Sequence, residues 1–226
     1  MGVSVEVGLP LGRLATFEDP LKIAILVSGR GSNMQAIAER SLRGELPVRV
    51  VRVIADRSTA QAVARAEALG IDTRVLDYRA LGESEYHRRL AEEVERSGAE
   101  WIVLAGYMRI LPEPFVRRFE WRIVNIHPSL LPAFPGLHPQ RQAIEHGVKL
   151  SGCTVHLVDT GVDTGPIILQ RAVPVLDDDT PESLAERILA VEHQAYPEAL
   201  ALLASGRLRL VGRRVISLNQ TSASSR

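Results

Sequence analysis

The chain alternates short apolar runs with amphipathic segments, and this rhythm restricts its fold more than any other feature. Lys22 to Val27 (KIAILV) is rich in β-branched residues and bounded by Ser28-Gly29, the pattern of a strand buried on both faces. Asn33 to Arg43 then carries Met34, Ile37, Ala38 and Leu42 close to helical spacing and stops at Gly44. Strands follow near Val48 to Ala55, Thr73 to Leu76 and Trp101 to Ala105, with helices near Ala60 to Leu69 and Ser84 to Ser97 between them. Each crossover helix must bury its apolar stripe against the sheet, so the class is α/β: a Rossmann-like, mostly parallel twisted sheet with helices on both faces. From Ser151 onward the rhythm changes. Gly152 to Val158 and Ile167 to Val175 read as strands joined by a glycine-bearing loop, Thr160 to Pro166, which predicts an antiparallel C-terminal portion. Pro181 to Ser205 reads as one long helix containing Pro197, and Arg207 to Leu218 as a last strand.

Two hundred and twenty-six residues, 46% of them hydrophobic, suffice for one large core, so residues 21–218 are expected to form a single domain. Residues 1–20 have weak periodicity and no core-forming pattern, which predicts an extension laid over the surface or loosely ordered, with residues 2–19 removable at little cost to activity. Residues 219–226 are small and polar, an expected disordered tail. Twenty-seven basic residues balance 27 acidic ones, which argues against a nucleic-acid partner. The apolar runs are too short to span a bilayer and no secretion signal is visible, so no membrane association is expected. A single cysteine, Cys153, fits a reducing compartment, and the cytoplasm is the expected location. Gln35 to Ile37 and the apolar strand edges suit a homodimer contact or a core equally well.

Three constellations carry the chemistry. Ser28-Gly29-Arg30-Gly31-Ser32-Asn33 lies between a strand and a helix, where unpaired N–H groups and close backbone approach suit a phosphate or carboxylate. It has no nucleoside-triphosphate loop ending, and Met34 stands where a dinucleotide fingerprint needs its third glycine. The same turn also reads as a tight bend whose Ser32 or Asn33 caps the helix. Asp56, at a strand end, suits either a ribose hydroxyl or a helix cap. Asn125-Ile126-His127-Pro128 follows the short run Arg122 to Val124; if that run is a strand, Asn125 and His127 project to one side. Asn can donate to a developing oxyanion and His can move a proton near neutral pH, a useful pair for acyl transfer. The loop Asp159 to Pro166 is dense in carboxylates and glycines but lacks the alternation of a calcium loop, and the histidines show no metal-ligand pairing, so no metal is expected. His156, amid Thr154, Val155 and Leu157, reads as a structural histidine.

In combination, Ser28 to Asn33, Leu104-Ala105-Gly106-Tyr107-Met108-Arg109-Ile110-Leu111, Asn125 to Pro132, Pro135 to His138 and Val162 to Pro166 resemble the folate-dependent glycinamide ribonucleotide formyltransferases, from about Lys22 to about Leu210. The resemblance implies formyl transfer from 10-formyltetrahydrofolate, as co-substrate, to the amine of glycinamide ribonucleotide in de novo purine biosynthesis, by direct attack through a tetrahedral intermediate. It implies that Gly31, Ser32 and Asn33 hold the substrate phosphate, that Glu192 contacts its ribose and that Gly106 lies near the glycinamide. Met108, Arg109, Ile110 and Leu111, with Asp159, Thr160, Gly161 and Val162, would receive the pterin. Asn125, His127 and Asp163 match the catalytic trio, with Asp163 expected to raise the pKa of His127, and Leu131-Pro132 matches a cis peptide. Many relatives place a base at the start of the helix after the third strand, thought to meet the folate's glutamate tail. This sequence reads Gly82-Glu83-Ser84-Glu85-Tyr86 there, with Arg79, Arg88 and Arg89 as the nearby cations.

Overall fold

The computed structural model describes residues 8–218. In chain order its elements are β1 (Leu9–Leu11), β2 (Leu21–Val27), α1 (Ser32–Leu42), β3 (Val48–Ala55), α2 (Gln61–Ala68), β4 (Thr73–Val75), α3 (Tyr78–Leu81), α4 (Glu83–Arg96) and β5 (Trp101–Leu104). Then come α5 (Glu113–Arg118), β6 (Ile123–His127), α6 (Pro139–Glu145), β7 (Leu150–Leu157), β8 (Ile167–Pro174), α7 (Pro181–Ala204), β9 (Leu208–Val211) and β10 (Arg214–Ser217). Seven strands form one sheet in the order β4-β3-β2-β5-β6-β7-β8. The first five of that order run parallel, while β7 lies antiparallel to both its neighbours. The α/β class and the antiparallel C-terminal portion are as the sequence predicts.

Both faces of the sheet are covered, and the side chains of β2 divide between them. Ile23, Ile25 and Val27 join the larger core with α1, α2, α6 and α7, whereas Ala24 and Leu26 join the other with α4 and α5. A strand packed on both sides has no polar face, which is why KIAILV shows no alternation. The long helix α7 starts at a capping box, Thr180 with Ser183, with Pro181 in its first turn, and it continues through Pro197. From it the buried Tyr196 hydroxyl reaches the carbonyls of Leu104 (2.9 Å) and Val124 (3.0 Å), tying the helix to β5 and β6 where the candidate site begins.

Two regions differ from expectation. The last segment is a hairpin of β9 and β10, turning at Gly212, whose φ of 58° suits the tight two-residue connection. β1 adds to it, pairing Leu9 with Leu210 and Leu11 with Leu208, so residues 8–20 are built into the molecule. Leu11 is 1% exposed in the main core. Arg13 grips Glu100 through two bonds of 2.7 and 2.9 Å and also meets Asp19. The segment therefore has core-forming character that its weak periodicity hides. The expected tail, residues 219–226, lies outside the described residues, as do residues 1–7. Ile37 is fully buried in the core, so it takes the core reading and not the dimer reading.

Burial at Leu11 sets a measurable cost. Leu11→Ala is expected to lower the unfolding free energy by about 2–5 kcal/mol in urea. The exposed Leu14→Ala should change it by less than about 0.5 kcal/mol. Equal stability of the two variants would show that Leu11 adds nothing to the core.

Candidate active site

Asn125 and His127 alternate on β6 with the apolar Val124 and Ile126, and both line a cleft of about 500 Å³. The turn after β6 holds His127 in place. Ser129 N–H bonds the His127 carbonyl (2.9 Å), Ser129 Oγ bonds the Ala133 carbonyl (2.6 Å), and Thr154 Oγ1 bonds the Ser129 carbonyl (2.7 Å). The Leu131-Pro132 peptide within the turn is cis. These contacts bring the Phe134 carbonyl 2.8 Å from His127 Nε2. A carbonyl only accepts, so Nε2 carries a hydrogen and Nδ1 is the nitrogen left to gain or lose one.

Asp163 stands at that nitrogen, with Oδ2 3.2 Å from Nδ1. Its backbone φ of 54° is uncommon for a non-glycine residue, and its carboxylate also accepts the Gly136 N–H at 2.9 Å. Burial pushes the Asp163 carboxyl up, but the contacts with His156, Gly136 and His127 outweigh it and hold the group below its ordinary range. For His127 the net balance is downward, although Asp163 pulls upward as expected. Burial lowers the imidazole pKa, and this exceeds the upward pull of the Phe134 carbonyl and of the Asp163 charge. Asp163 acts in the expected direction without prevailing, so a proton on Nδ1 is held loosely.

His156, read from the sequence as a structural histidine, is buried and hydrogen-bonded as such, but it also touches Asn125. It is buried opposite Asn125 in the β6–β7 register. Its Nδ1 donates to the Leu157 carbonyl at 2.8 Å, so in the neutral ring Nε2 accepts from Asn125 Nδ2 at 3.3 Å. That bond fixes the carboxamide and leaves its second N–H for the cleft. Asp163 Oδ1 lies 3.6 Å from the same Nε2, too far for a good hydrogen bond. Only cross-strand pairing reveals this group; its local spacing looks like that of any strand residue.

The remaining wall comes from two further segments. Gly106, Met108, Arg109, Ile110 and Leu111 lie along one part of the cleft, and Asp159, Thr160, Gly161 and Val162 along another. Met108, Ile110 and Val162 are exposed apolar side chains there. Gly165 keeps the loop close to the sheet, since a Cβ at that position would overlap the Leu157 carbonyl. Gly136, Leu137 and His138 complete the lining.

Gly31, Ser32, Asn33 and Glu192 lie outside this lining. They are joined to it through Ser28, whose N–H bonds the Gly106 carbonyl (3.2 Å) and whose Oγ accepts the Met108 N–H (2.9 Å). Gly31 is the N-cap of α1, with φ 75° and no side-chain cap, so neither Ser32 nor Asn33 caps the helix. A Cβ on Gly31 would also strike Ala62. The Asn33 side chain is committed elsewhere, donating from Nδ2 to Glu192 Oε2 at 2.8 Å, both groups being buried. Asn33 Oδ1 is buried without a hydrogen-bond partner among the described residues. Asp56 does not cap α2, whose N-cap Ala60 has no side-chain bond; it pairs with Arg57 and Arg109. Arg88 and Arg89 both bond Glu85 on their own helix. No cluster of potential metal ligands occurs among the described residues, and no helix there is long and apolar enough to cross a membrane.

The model of the formyl transferase family matches residues 21–200. The trifunctional purine biosynthetic protein adenosine-3 of Drosophila pseudoobscura is 48% identical over 84% of this chain, which spans 14% of that much longer protein. The phosphoribosylglycinamide formyltransferase of Escherichia coli is 40% identical over 84% of this chain and 90% of its own length. Among solved structures, glycinamide ribonucleotide transformylase 1 from Symbiobacterium toebii is 52% identical, with a TM-score of 0.86 over 88% of this chain and 95% of that one.

Glu192 yields a test of these electrostatics. Burial pushes its carboxyl up to about 7, against the smaller opposing bond from Asn33. Between the ordinary carboxylate range, about 4.3, and that value the unfolded chain ionises while the native one does not. Native stability therefore falls as pH rises through that window and levels off above it. Glu192→Gln should remove the loss, making the variant more stable at pH 8 by about 3 kcal/mol, with little difference at pH 4. Denaturant unfolding across that range would detect it; a pH-independent difference would mean that Glu192 remains ionised.

Proposed function

The chain belongs to the formyl transferase family, and from that premise we propose that it transfers the formyl group of 10-formyltetrahydrofolate to the amine of glycinamide ribonucleotide in purine biosynthesis. The observation that carries this reading is the paired arrangement in one cleft: Asn125 oriented by His156, and His127 facing Asp163. The reaction needs a donor for an oxyanion and a group that moves one proton. This arrangement offers both.

The acceptor amine resembles an α-amino group, whose reference pKa of about 7.7–8.0 leaves a useful neutral fraction at pH 7. Its lone pair forms the new C–N bond at the formyl carbon while the carbonyl electrons move to oxygen. The free N–H of Asn125 and a proton on His127 Nδ1 stabilise that oxyanion. Collapse breaks the bond to the folate nitrogen, which takes the bonding pair and gains a proton as the amine loses one. A loosely held proton between Nδ1 and Asp163 suits that exchange.

The N-terminus of α1 supplies N–H groups for the acceptor's phosphate, a natural anion site in the absence of a side-chain cap. Asn33 contributes there through its backbone, because its side chain serves Glu192; the unpartnered Oδ1 and Glu192 suit a ribose hydroxyl. Met108 to Leu111 and Asp159 to Val162 form the wall for the folate ring.

An assay of formyl transfer to glycinamide ribonucleotide, with water and methionyl-tRNA as competing acceptors, tests the activity directly. Asn125→Ala should lower kcat by on the order of 100-fold with ligand affinity largely retained. Asp163→Asn keeps the shape while removing the charge, and single-turnover rates should drop across pH 6 to 9. Near-parental rates there would make Asp163 structural. Gly31→Val should raise KM for the ribonucleotide far more than KM for the folate, and an equal effect on both would place the phosphate elsewhere.

A further inference from the structure

Leu131 lies in the turn that follows β6, belongs to no strand or helix, and is buried. Buried backbone polar groups need partners, and two side chains from the neighbouring strands supply them here. The Leu131 N–H donates to Thr154 Oγ1 at 3.0 Å, and the Leu131 carbonyl accepts from Gln170 Nε2 at 2.9 Å. Gln170 Nε2 also donates to Thr154 Oγ1 at 2.9 Å, so both amide hydrogens are used. Thr154 Oγ1 in turn donates to the Ser129 carbonyl, which fills the one donor and two acceptor places of a hydroxyl.

Register brings these groups together. Thr154 of β7 stands opposite His127 of β6, and Gln170 of β8 stands opposite Thr154, so one row crosses three strands and ends at the edge of the sheet. Neither Thr154 nor Gln170 lines the cleft. Their link to the chemistry runs through the turn, which carries the Phe134 carbonyl to His127 Nε2. In the neutral imidazole two acceptors compete for one hydrogen: that carbonyl at Nε2, and the Asp163 carboxylate at Nδ1.

We propose that Gln170 is a positioning residue: with Thr154 it pins the Leu131 turn so that the Phe134 carbonyl keeps the hydrogen of His127 on Nε2 and leaves Nδ1 open toward Asp163. The proposal rests on the reading above in which His127 moves a proton through Nδ1. Without the Gln170 amide the Leu131 carbonyl loses its partner, and a buried acceptor left unsatisfied drives the turn to rearrange. The carboxylate then wins the hydrogen. Nδ1 is filled in the neutral ring, and proton exchange at that nitrogen slows.

The test labels the protein with ¹⁵N-histidine and reads the tautomer of His127 by NMR at pH 8, above its lowered pKa, the signal being assigned by its absence in His127→Gln. In the parent, Nε2 should show the shift of a protonated nitrogen and Nδ1 that of a bare one. Gln170→Leu, similar in size and without the amide, should reverse the two. It should also lower kcat about 10-fold, the scale of one hydrogen bond, while both KM values stay within about twofold. Thr154→Val should act in the same direction, whereas Thr154→Ser keeps the hydroxyl and should stay near the parent; this pair decides the matter if Gln170→Leu fails to fold. An unchanged tautomer in folded Gln170→Leu would overturn the proposal, as would a parent with the hydrogen already on Nδ1 or a Thr154→Ser protein as impaired as Thr154→Val. The spectra need no substrate, so a parent with the expected tautomer and no transfer activity would overturn the functional reading alone.

Discussion

Three neighbouring parallel strands end at one level, and the candidate site depends on that register. Leu26 of β2 stands opposite Leu104 of β5, and Leu104 stands opposite Asn125 of β6. The Ser28 turn, the Gly106 segment and the Asn125-His127 pair therefore leave the sheet side by side. A slip of one residue would turn Leu26 and Leu104 to the face now filled by Ile25 and Val103, so burial on both sides fixes the register strongly. Packing thus sets the distances on which the chemistry relies.

Asp56, Asp163 and Glu192 show how the number of donors decides the charge state. Asp56 has two guanidinium partners, and these outweigh its burial to hold it below the ordinary range. Asp163 gathers an N–H and two imidazoles and is likewise held low. Glu192 has one neutral amide and is pushed up. The same residue class is thus held charged at two positions and pushed toward its neutral form at the third.

Legibility in the sequence followed the length scale of each interaction. β2, α1 and β3 carry their patterns within a few residues and are plain to read. α5 and α6 span six and seven residues, too few turns to establish a stripe, and both contain a proline in the first turn. The hairpin of β9 and β10 looks like one strand because its turn has only two residues, Gly212 and Arg213. In the candidate site, Asn125 and His127 share a side through simple alternation. His156 enters only through its register with Asn125, and Asp56 finds Arg109 across 53 residues. The balance on His127 was also beyond reach, because the extent of burial is a property of the assembled fold.

The pairing of Leu9 with Leu210 joins segments about two hundred residues apart. At a synthesis rate of about 5–20 residues per second, the strand Leu9–Leu11 spends roughly 10–40 seconds outside the ribosome before β9 exists. Throughout that interval its backbone edge lacks the strand it pairs with among the described residues. Glu100 emerges about midway, so the grip of Arg13 becomes available first. Order of emergence alone makes this ion pair available before the small sheet can close.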